Sequence, residues 1–232
     1  MDLDDKSAQR TVRRLSRRFG LRWVEHRIGE MSLRFAEVRD VDRCVRALYP
    51  ECLVDHGDAP VWMISWPAAF GLAEYLVHEQ GVGGGAVLEL GCGTGVVGVV
   101  AAAAGARVHC TDYDELALAV ARHNVLENGL EGVRLSRLDW YAGEVQERFM
   151  LVVGSEITYH DMAFEPLLRV LERVLAPKGI VVLSDIFRRQ TDTFLALAEA
   201  RGWRFETHRR MVHLALESHA IRIAVLRRPS PF

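Results

Sequence analysis

Carboxylates stand at the ends of successive apolar runs, each beside residues that suit a ligand. The first is Glu89, in Glu89-Leu90-Gly91-Cys92-Gly93-Thr94-Gly95, between the apolar stretches 86–90 and 96–104. Three glycines in five positions let backbone approach a ligand closely, and a helix starting there presents outward-pointing amides. That combination makes a site for a nucleotide-like ligand. Asp112 ends the next apolar run, about twenty residues past Gly91, where a carboxylate can accept both hydroxyls of a ribose. Asp139-Trp140 ends the run 133–138, and Glu156-Ile157-Thr158-Tyr159 follows the run 149–154.

The glycine spacing narrows the ligand. A dinucleotide fingerprint needs G-x-G-x-x-G, but here the third glycine is Gly95 and position 96 is Val. No Gly-Lys-Ser/Thr follows, so a phosphate P-loop is excluded as well. A tight βα turn without a ligand is the plain alternative. Asp112 does not decide the matter alone, since NAD sites place an acid in the same way.

E-L-G-C-G-T-G resembles motif I of the class I S-adenosylmethionine (SAM) methyltransferases. The resemblance implies that Glu89, Gly91, Gly93 and Gly95 lie against the methionine part of SAM, with Asp112 on its ribose. Tyr113 can then lie against the adenine. The segment Trp66-Pro67-Ala68-Ala69-Phe70-Gly71-Leu72-Ala73-Glu74-Tyr75-Leu76 is similar to the seven-β-strand protein-lysine methyltransferases, a group acting on chaperones, calmodulin, translation factors and the electron-transfer flavoprotein β-subunit. It implies that Trp66 lies beside SAM, with Trp62 a second candidate; filling the core edge is the other use for two such tryptophans. Leu138-Asp139-Trp140 resembles the same group, in which the acid caps the adenine amino group and the Trp lines the purine pocket. An Asp at a strand end also serves as a turn former.

The loop 155–160 is aimed at the transferred methyl group, because ligands sit at the carboxyl ends of such strands near the switch in strand order. Ser155 is placed with the cofactor-binding residues. The lysine methyltransferase group carries Asp-x-x-Tyr here; this chain has Glu156 and Tyr159, one methylene longer at the acid. The Asn/Asp-Pro-Pro-Tyr/Phe of enzymes that methylate adenine or glutamine amino groups is absent, which counts against both activities. A lysine nucleophile must first lose a proton, at a cost of roughly 4–5 kcal/mol at neutral pH. A carboxylate can draw the ammonium in, desolvation can favour its neutral form, and an aromatic wall can hold the cation. Glu156 is therefore assigned as binder or proton acceptor and Tyr159 as wall. A helix N-cap region with a packed Tyr is the structural alternative. His160, outside the matching motif, is not assigned as a base.

The elements that must position these residues follow from periodicity. Strands are expected over 86–90, 107–112, 133–138, 149–154 and 180–184, and helices over 67–79, 96–104, 115–128, 164–175 and 193–200. An antiparallel pair, 203–209 with 220–226, closes the sheet. The expected fold is α/β, a SAM-methyltransferase Rossmann-like sheet of about seven strands, mostly parallel, over residues 61–232. Residues 1–60 are expected as an N-terminal extension: a helix 8–19, a hairpin from 21–26 and 31–38 around Gly29, a short helix 41–48, and a loop 52–59. Arg10, Arg13, Arg14, Arg17 and Arg18 surround the apolar stripe Val12, Leu15 and Phe19. They suit an acidic partner or RNA phosphates, or simply a solvated helix face.

Composition sets the remaining bounds. A formal charge of −2 gives no global field to recruit nucleic acid. No apolar run reaches membrane-spanning length, and residues 1–5 hold no apolar signal core. Four cysteines without C-x-x-C spacing, Cys92 and Cys110 among them in the expected sheet, point to a reducing, cytoplasmic setting. His208, His213 and His219 lack tight metal-ligand spacing, so no metal is expected. The expected function is SAM-dependent methyl transfer to a protein lysine. A small-molecule N-methyltransferase of the same fold, and a SAM-binding protein without catalysis, are the alternatives; the partner is a protein substrate or a small amine.

Overall fold

The computed structural model describes residues 4–53, 60–142, 145–214 and 217–228. In chain order its main elements are α1 (Asp5–Phe19), β1 (Leu21–Ile28), β2 (Met31–Val38), α2 (Val41–Leu48), α3 (Pro67–Tyr75), β3 (Ala86–Leu90), α4 (Val96–Ala103), β4 (Arg107–Asp112), α5 (Glu115–Glu127), β5 (Arg134–Arg137), β6 (Phe149–Ser155), α6 (Phe164–Val174), β7 (Leu175–Asp185), α7 (Arg189–Ala200), β8 (Arg204–Leu214) and β9 (Glu217–Arg227). Most of the expected loop 52–59 lies outside the described residues.

Seven strands form one sheet in the order β5-β4-β3-β6-β7-β9-β8. The first five are parallel, and β9 and β8 close the sheet antiparallel. The mostly parallel seven-stranded α/β fold expected from the sequence is thus present. Its central strands are apolar runs because helices cover both faces. β3 and β6 are neighbours although β4 and β5 intervene in the chain, so the strand order reverses between them. Their carboxyl ends open a crevice at that reversal, where ligands of such sheets bind.

Several details differ from expectation: α1 starts at Asp5, α7 at Arg189 rather than 193, and β8 and β9 extend to Leu214 and from Glu217. α3 stops at Tyr75 and continues as a wider π-helical turn over Leu76–Gln80, closed by Gly81 N–H on the Leu76 carbonyl at 3.0 Å. The turn expected at Pro177-Lys178-Gly179 is absorbed into β7 as a bulge. Phe149 pairs with Leu175 but Leu151 with Ile180, and Lys178 takes up the excess chain at φ +65°. Cys92 lies in the glycine turn and only Cys110 lies in the sheet, although both are buried.

The N-terminal elements pack on α5. Ala8, Val12, Leu15 and Phe19 of α1 share one core with Val38, Cys44, Val45, Trp62, Met63 and Ala117, Ala119 and Val120 of α5. The β1–β2 hairpin runs in continuous antiparallel register from Leu21↔Val38 to Ile28↔Met31. Its outer edge on β2 is occupied by side chains. Asn124 accepts Ala36 N–H at 2.8 Å and donates to the Ala36 carbonyl at 3.2 Å, and Asn128 does the same with Arg34 at 3.0 and 2.8 Å. One turn apart on α5, the two amides act as peptide groups of a missing strand. Asn124 Nδ2 also donates to the Thr94 carbonyl at 2.8 Å, which joins the hairpin to the glycine turn.

Candidate active site

The glycine turn leaves β3 with Gly91 at φ +64° and Gly93 at φ +53°, a backbone that residues with a Cβ rarely adopt. A Cβ on Gly91 would also stand 2.8 Å from Ile157 Cγ2, so the loop after β6 can close on the turn only over a glycine. The turn in turn holds Asp112. Gly93 N–H donates to Asp112 Oδ2 at 2.9 Å and Asp114 N–H to Oδ1 at 3.0 Å. Burial, opposed by these amides, lifts the Asp112 carboxyl to about 6.

Glu89 is buried beneath α4. Its Oε2 accepts the Cys110 thiol at 3.3 Å, and Gly98 N–H, one of the first-turn amides that α4 cannot satisfy internally, donates to it as well. A Cβ on Gly98 would sit 2.6 Å from that oxygen and 2.2 Å from Cys110 Sγ, so glycine here is what lets the helix lie on the acid. Burial pushes the Glu89 carboxyl up to about 8. Among the described residues no lysine or arginine pairs with Glu89 or Asp112.

Trp62 and Trp66 form a wall beside the turn, with Trp62 Cα 3.5 Å from where a Cβ on Gly93 would stand. Trp66 Nε1 donates to the Val61 carbonyl at 2.8 Å. Trp62 is buried, and its Nε1 donates to Asp114 Oδ2 at 3.0 Å and to the Tyr49 hydroxyl at 3.2 Å; that hydroxyl also donates to Asp114 Oδ2. Between the tryptophans, Ser65 N–H donates to the buried Glu37 of β2, and Ser65 Oγ bonds Thr94 Oγ1 at 3.0 Å. The extension therefore reaches the wall through Glu37 and Tyr49, neither of which carried a signal readable in the sequence.

Glu156 faces the crevice from the end of β6 with φ +55°, a conformation that costs a non-glycine residue on the order of 1–3 kcal/mol. Only 4 % of it is exposed. Its Oε1 accepts Ile186 N–H at 3.0 Å and its Oε2 is paired with Arg188 Nε. Burial raises its pKa, while Arg188 and the Ile186 amide pull it back. Arg188 is delivered by a second ionic unit: its own N–H donates to Asp185 Oδ1 at 2.7 Å, and Arg222 grips both Asp185 oxygens at 2.8 and 3.0 Å, the Arg188 carbonyl at 2.9 Å, and Asp192. The Arg188 guanidinium lies 5.8 Å from the Trp66 ring centre.

These walls enclose a cavity of about 430 Å³, within the range of small-molecule sites. Trp66, Glu89, Gly91, Gly93, Asp112, Tyr113, Asp139, Trp140, Ser155, Glu156 and Tyr159 all line it, as do Trp62 and His160. Gly95 does not line it. It starts α4, at a place where an added Cβ would stand 2.9 Å from Ala121 Cβ, so it serves the packing of α4 on α5. Tyr113 and Tyr141 stand at the mouth, 55 % and 62 % exposed. Nδ1 of His160 accepts the Met162 N–H at 3.2 Å.

Residues 55–201 match the model of a family described as lysine methyltransferase. The chain is 36 % identical over 140 residues to protein N-lysine methyltransferase METTL21A of Xenopus tropicalis, covering 56 % of this chain and 62 % of that protein. It is 32 % identical over 154 residues to histone-arginine methyltransferase METTL23 of Xenopus laevis, covering 62 % and 63 %. The matches thus span less than two thirds of those relatives. The crystal structure of ribosomal protein L11 methylase from Lactobacillus delbrueckii subsp. bulgaricus superposes with a TM-score of 0.58 at 20 % identity, over 72 % of this chain and 81 % of that one; it shares the fold.

Proposed function

The chain belongs to the lysine methyltransferase family, and on that premise we propose that it is a SAM-dependent N-methyltransferase whose acceptor is a lysine side chain of another protein. The observation that carries this reading is one cavity with two unlike walls. On one side buried Glu89 and Asp112 stand without a cation among the described residues; on the other a carboxylate, Glu156, stands beside an aromatic, Tyr159.

The cofactor wall fits SAM by its chemistry. Gly91 and Gly93 leave backbone bare of side chains, Asp112 keeps lone pairs for a ribose beyond those taken by its two amides, and Glu89 suits a cationic amine. Asp139 and Trp140, which line the same cavity as Trp66 and Ser155, are the residues we assign to the adenine. When bound, SAM supplies a methyl group activated by its sulfonium.

The chain's own residues align, dry and deprotonate. Trp66, Ile157 and Tyr159 exclude water, and alignment within such a site supplies much of the rate of an in-line displacement. Tyr159 presents a ring to the incoming ammonium. Glu156 accepts the proton that the amine must lose before its lone pair can attack. Arg188 and the Ile186 amide oppose the rise that burial imposes on the Glu156 pKa, which favours the carboxylate as acceptor.

A guanidinium already sits on Glu156, that of Arg188, so an arginine acceptor is the second reading. Labelling a lysate with methyl-tritiated SAM, followed by mass spectrometry of the labelled protein, tests both. Methyl-lysine supports the first reading, methyl-arginine the second, and SAM binding without any labelled acceptor would leave a non-catalytic binder. Among the described residues no helix is long and apolar enough to cross a membrane. With no disulfide among the cysteines, a cytoplasmic setting is the one we favour.

A further inference from the structure

α1 carries its charge on one side. Arg10, Arg13, Arg14, Arg17 and Arg18 follow at spacings of three and four, which puts them on one helix face. Ala8, Val12, Leu15 and Phe19 occupy the opposite face and pack on α5. All five arginines are exposed, and among the described residues none of them is paired with a carboxylate. Several arginines elsewhere are paired: Arg122 with Asp5, Arg201 with Glu165, Arg210 with Glu79, Arg227 with Glu206. The whole chain is slightly acidic, at −2, so the positive excess is local. Like charges at these spacings repel; only Arg17 and Arg18, in the last turn, are offset by the helix dipole, so helix stability does not account for Arg10, Arg13 and Arg14.

The stripe borders an apolar recess. Arg14 and Arg18 flank a hollow of about 150 Å³ lined by Leu15, Phe19, Leu48 and Leu116; an apolar cavity of about that size takes a benzene-sized group. Leu116 N–H is bound to Asp114, the acid that holds Trp62, and Tyr113 beside it stands at the cavity mouth. Charge, recess and mouth are therefore adjacent.

We propose that this face of α1 docks an acidic segment of the protein substrate, with carboxylates on the arginines and one apolar side chain in the recess. It rests on the reading that the acceptor belongs to a protein. Single-stranded RNA would call for aromatic faces among the arginines on which bases can stack. The exposed face of α1 has none, since Phe19 is buried.

The test is fluorescence anisotropy on the full chain with a labelled peptide of glutamates around a central leucine. The same peptide with serine for leucine and an oligouridine RNA of equal charge serve as comparisons. We expect the leucine peptide to bind best, more weakly as salt rises, and about tenfold or more weakly when Arg13, Arg14, Arg17 and Arg18 are all changed to Gln. No binding by the native chain, equal binding by the variant, or tighter binding of the RNA would each overturn the proposal. Calorimetric titration of SAM into both proteins separates the two questions. Unchanged SAM affinity shows that the variant is folded, while a native chain that binds peptide but no SAM would sink the methyltransferase reading and leave the docking surface standing.

Discussion

On the β3–β4 side of the cavity Glu89 and Asp112 are buried with no cation beside them among the described residues; on the β6–β7 side Glu156 and Asp185 are equally buried, but with Arg188 and Arg222 attached. The first wall leaves negative charge uncompensated, and its acids respond by holding their protons more tightly, Glu89 to about 8 and Asp112 to about 6. A cationic ligand releases that tension by lowering both values, so the wall is complementary to positive charge. The second wall neutralises itself. A group arriving there gains little by being charged, and a neutral amine is at less of a disadvantage than it would be beside a lone carboxylate. On the proposed reading, one wall suits a cofactor that arrives as a cation and the other a nucleophile that must cease to be one.

The largest effect should come from removing the first wall's access. Gly93→Arg is expected to abolish SAM binding in calorimetry while circular dichroism shows an unchanged fold; retained affinity would remove the glycine turn from the cofactor site. On the second wall, Glu156→Ala should leave SAM affinity intact and lower methyl incorporation on the order of a hundredfold or more. Full activity would take Glu156 out of the chemistry. Arg188→Met tests the self-neutralisation. Without its cation Glu156 titrates higher, so the rising limb of the pH–rate profile should move to higher pH, and Arg188→Lys should return it toward the native position. A profile that does not move would mean that Arg188 only packs.

The smallest effect is the most diagnostic of the contrast. Glu89 starts near 4.5 in an unfolded chain and rises to about 8 on folding. The folded chain therefore holds a proton that the unfolded chain has lost, so ligand-free stability should fall as pH climbs between those values. SAM, favouring the ionised acid, should bind more tightly as pH rises toward 8 and level off above it, by at most about tenfold per unit. Glu89→Gln should flatten both curves; unchanged slopes would assign the titration elsewhere.

What could be read from the chain was what is local. Glu89, the glycines and the apolar stretches beside them are contiguous, so strand, turn and helix are visible together, and Asp112 and Asp139-Trp140 sit at predictable strand ends. Residues 185–189 could be placed at a strand's carboxyl end, within reach of a substrate, but the pairing of Arg188 with Glu156 was not visible, because Arg188 comes from the end of a different strand and nothing near either residue marks the pair. Glu37, Tyr49 and Asp114 escaped for the same reason: each supports Trp62 or the Ser65 backbone across a tertiary contact. Gly98 went unremarked inside an apolar run, although its missing side chain is what gives Glu89 its amide. Gly95, which its motif places with the ligand, also has a packing role that the motif did not reveal, since it leaves room for Ala121.

The paired amides of Asn124 and Asn128 also bear on how the molecule behaves in company. A two-stranded hairpin has two free edges, and either can template another chain. On β2 the outward backbone groups of Arg34 and Ala36 are already satisfied by side chains, while the open edge on β1 carries Arg22, Glu25 and Arg27. The extension can thus be an appended sheet without becoming an adhesive one. Loss of the two asparagines would be felt first as self-association in concentrated solution.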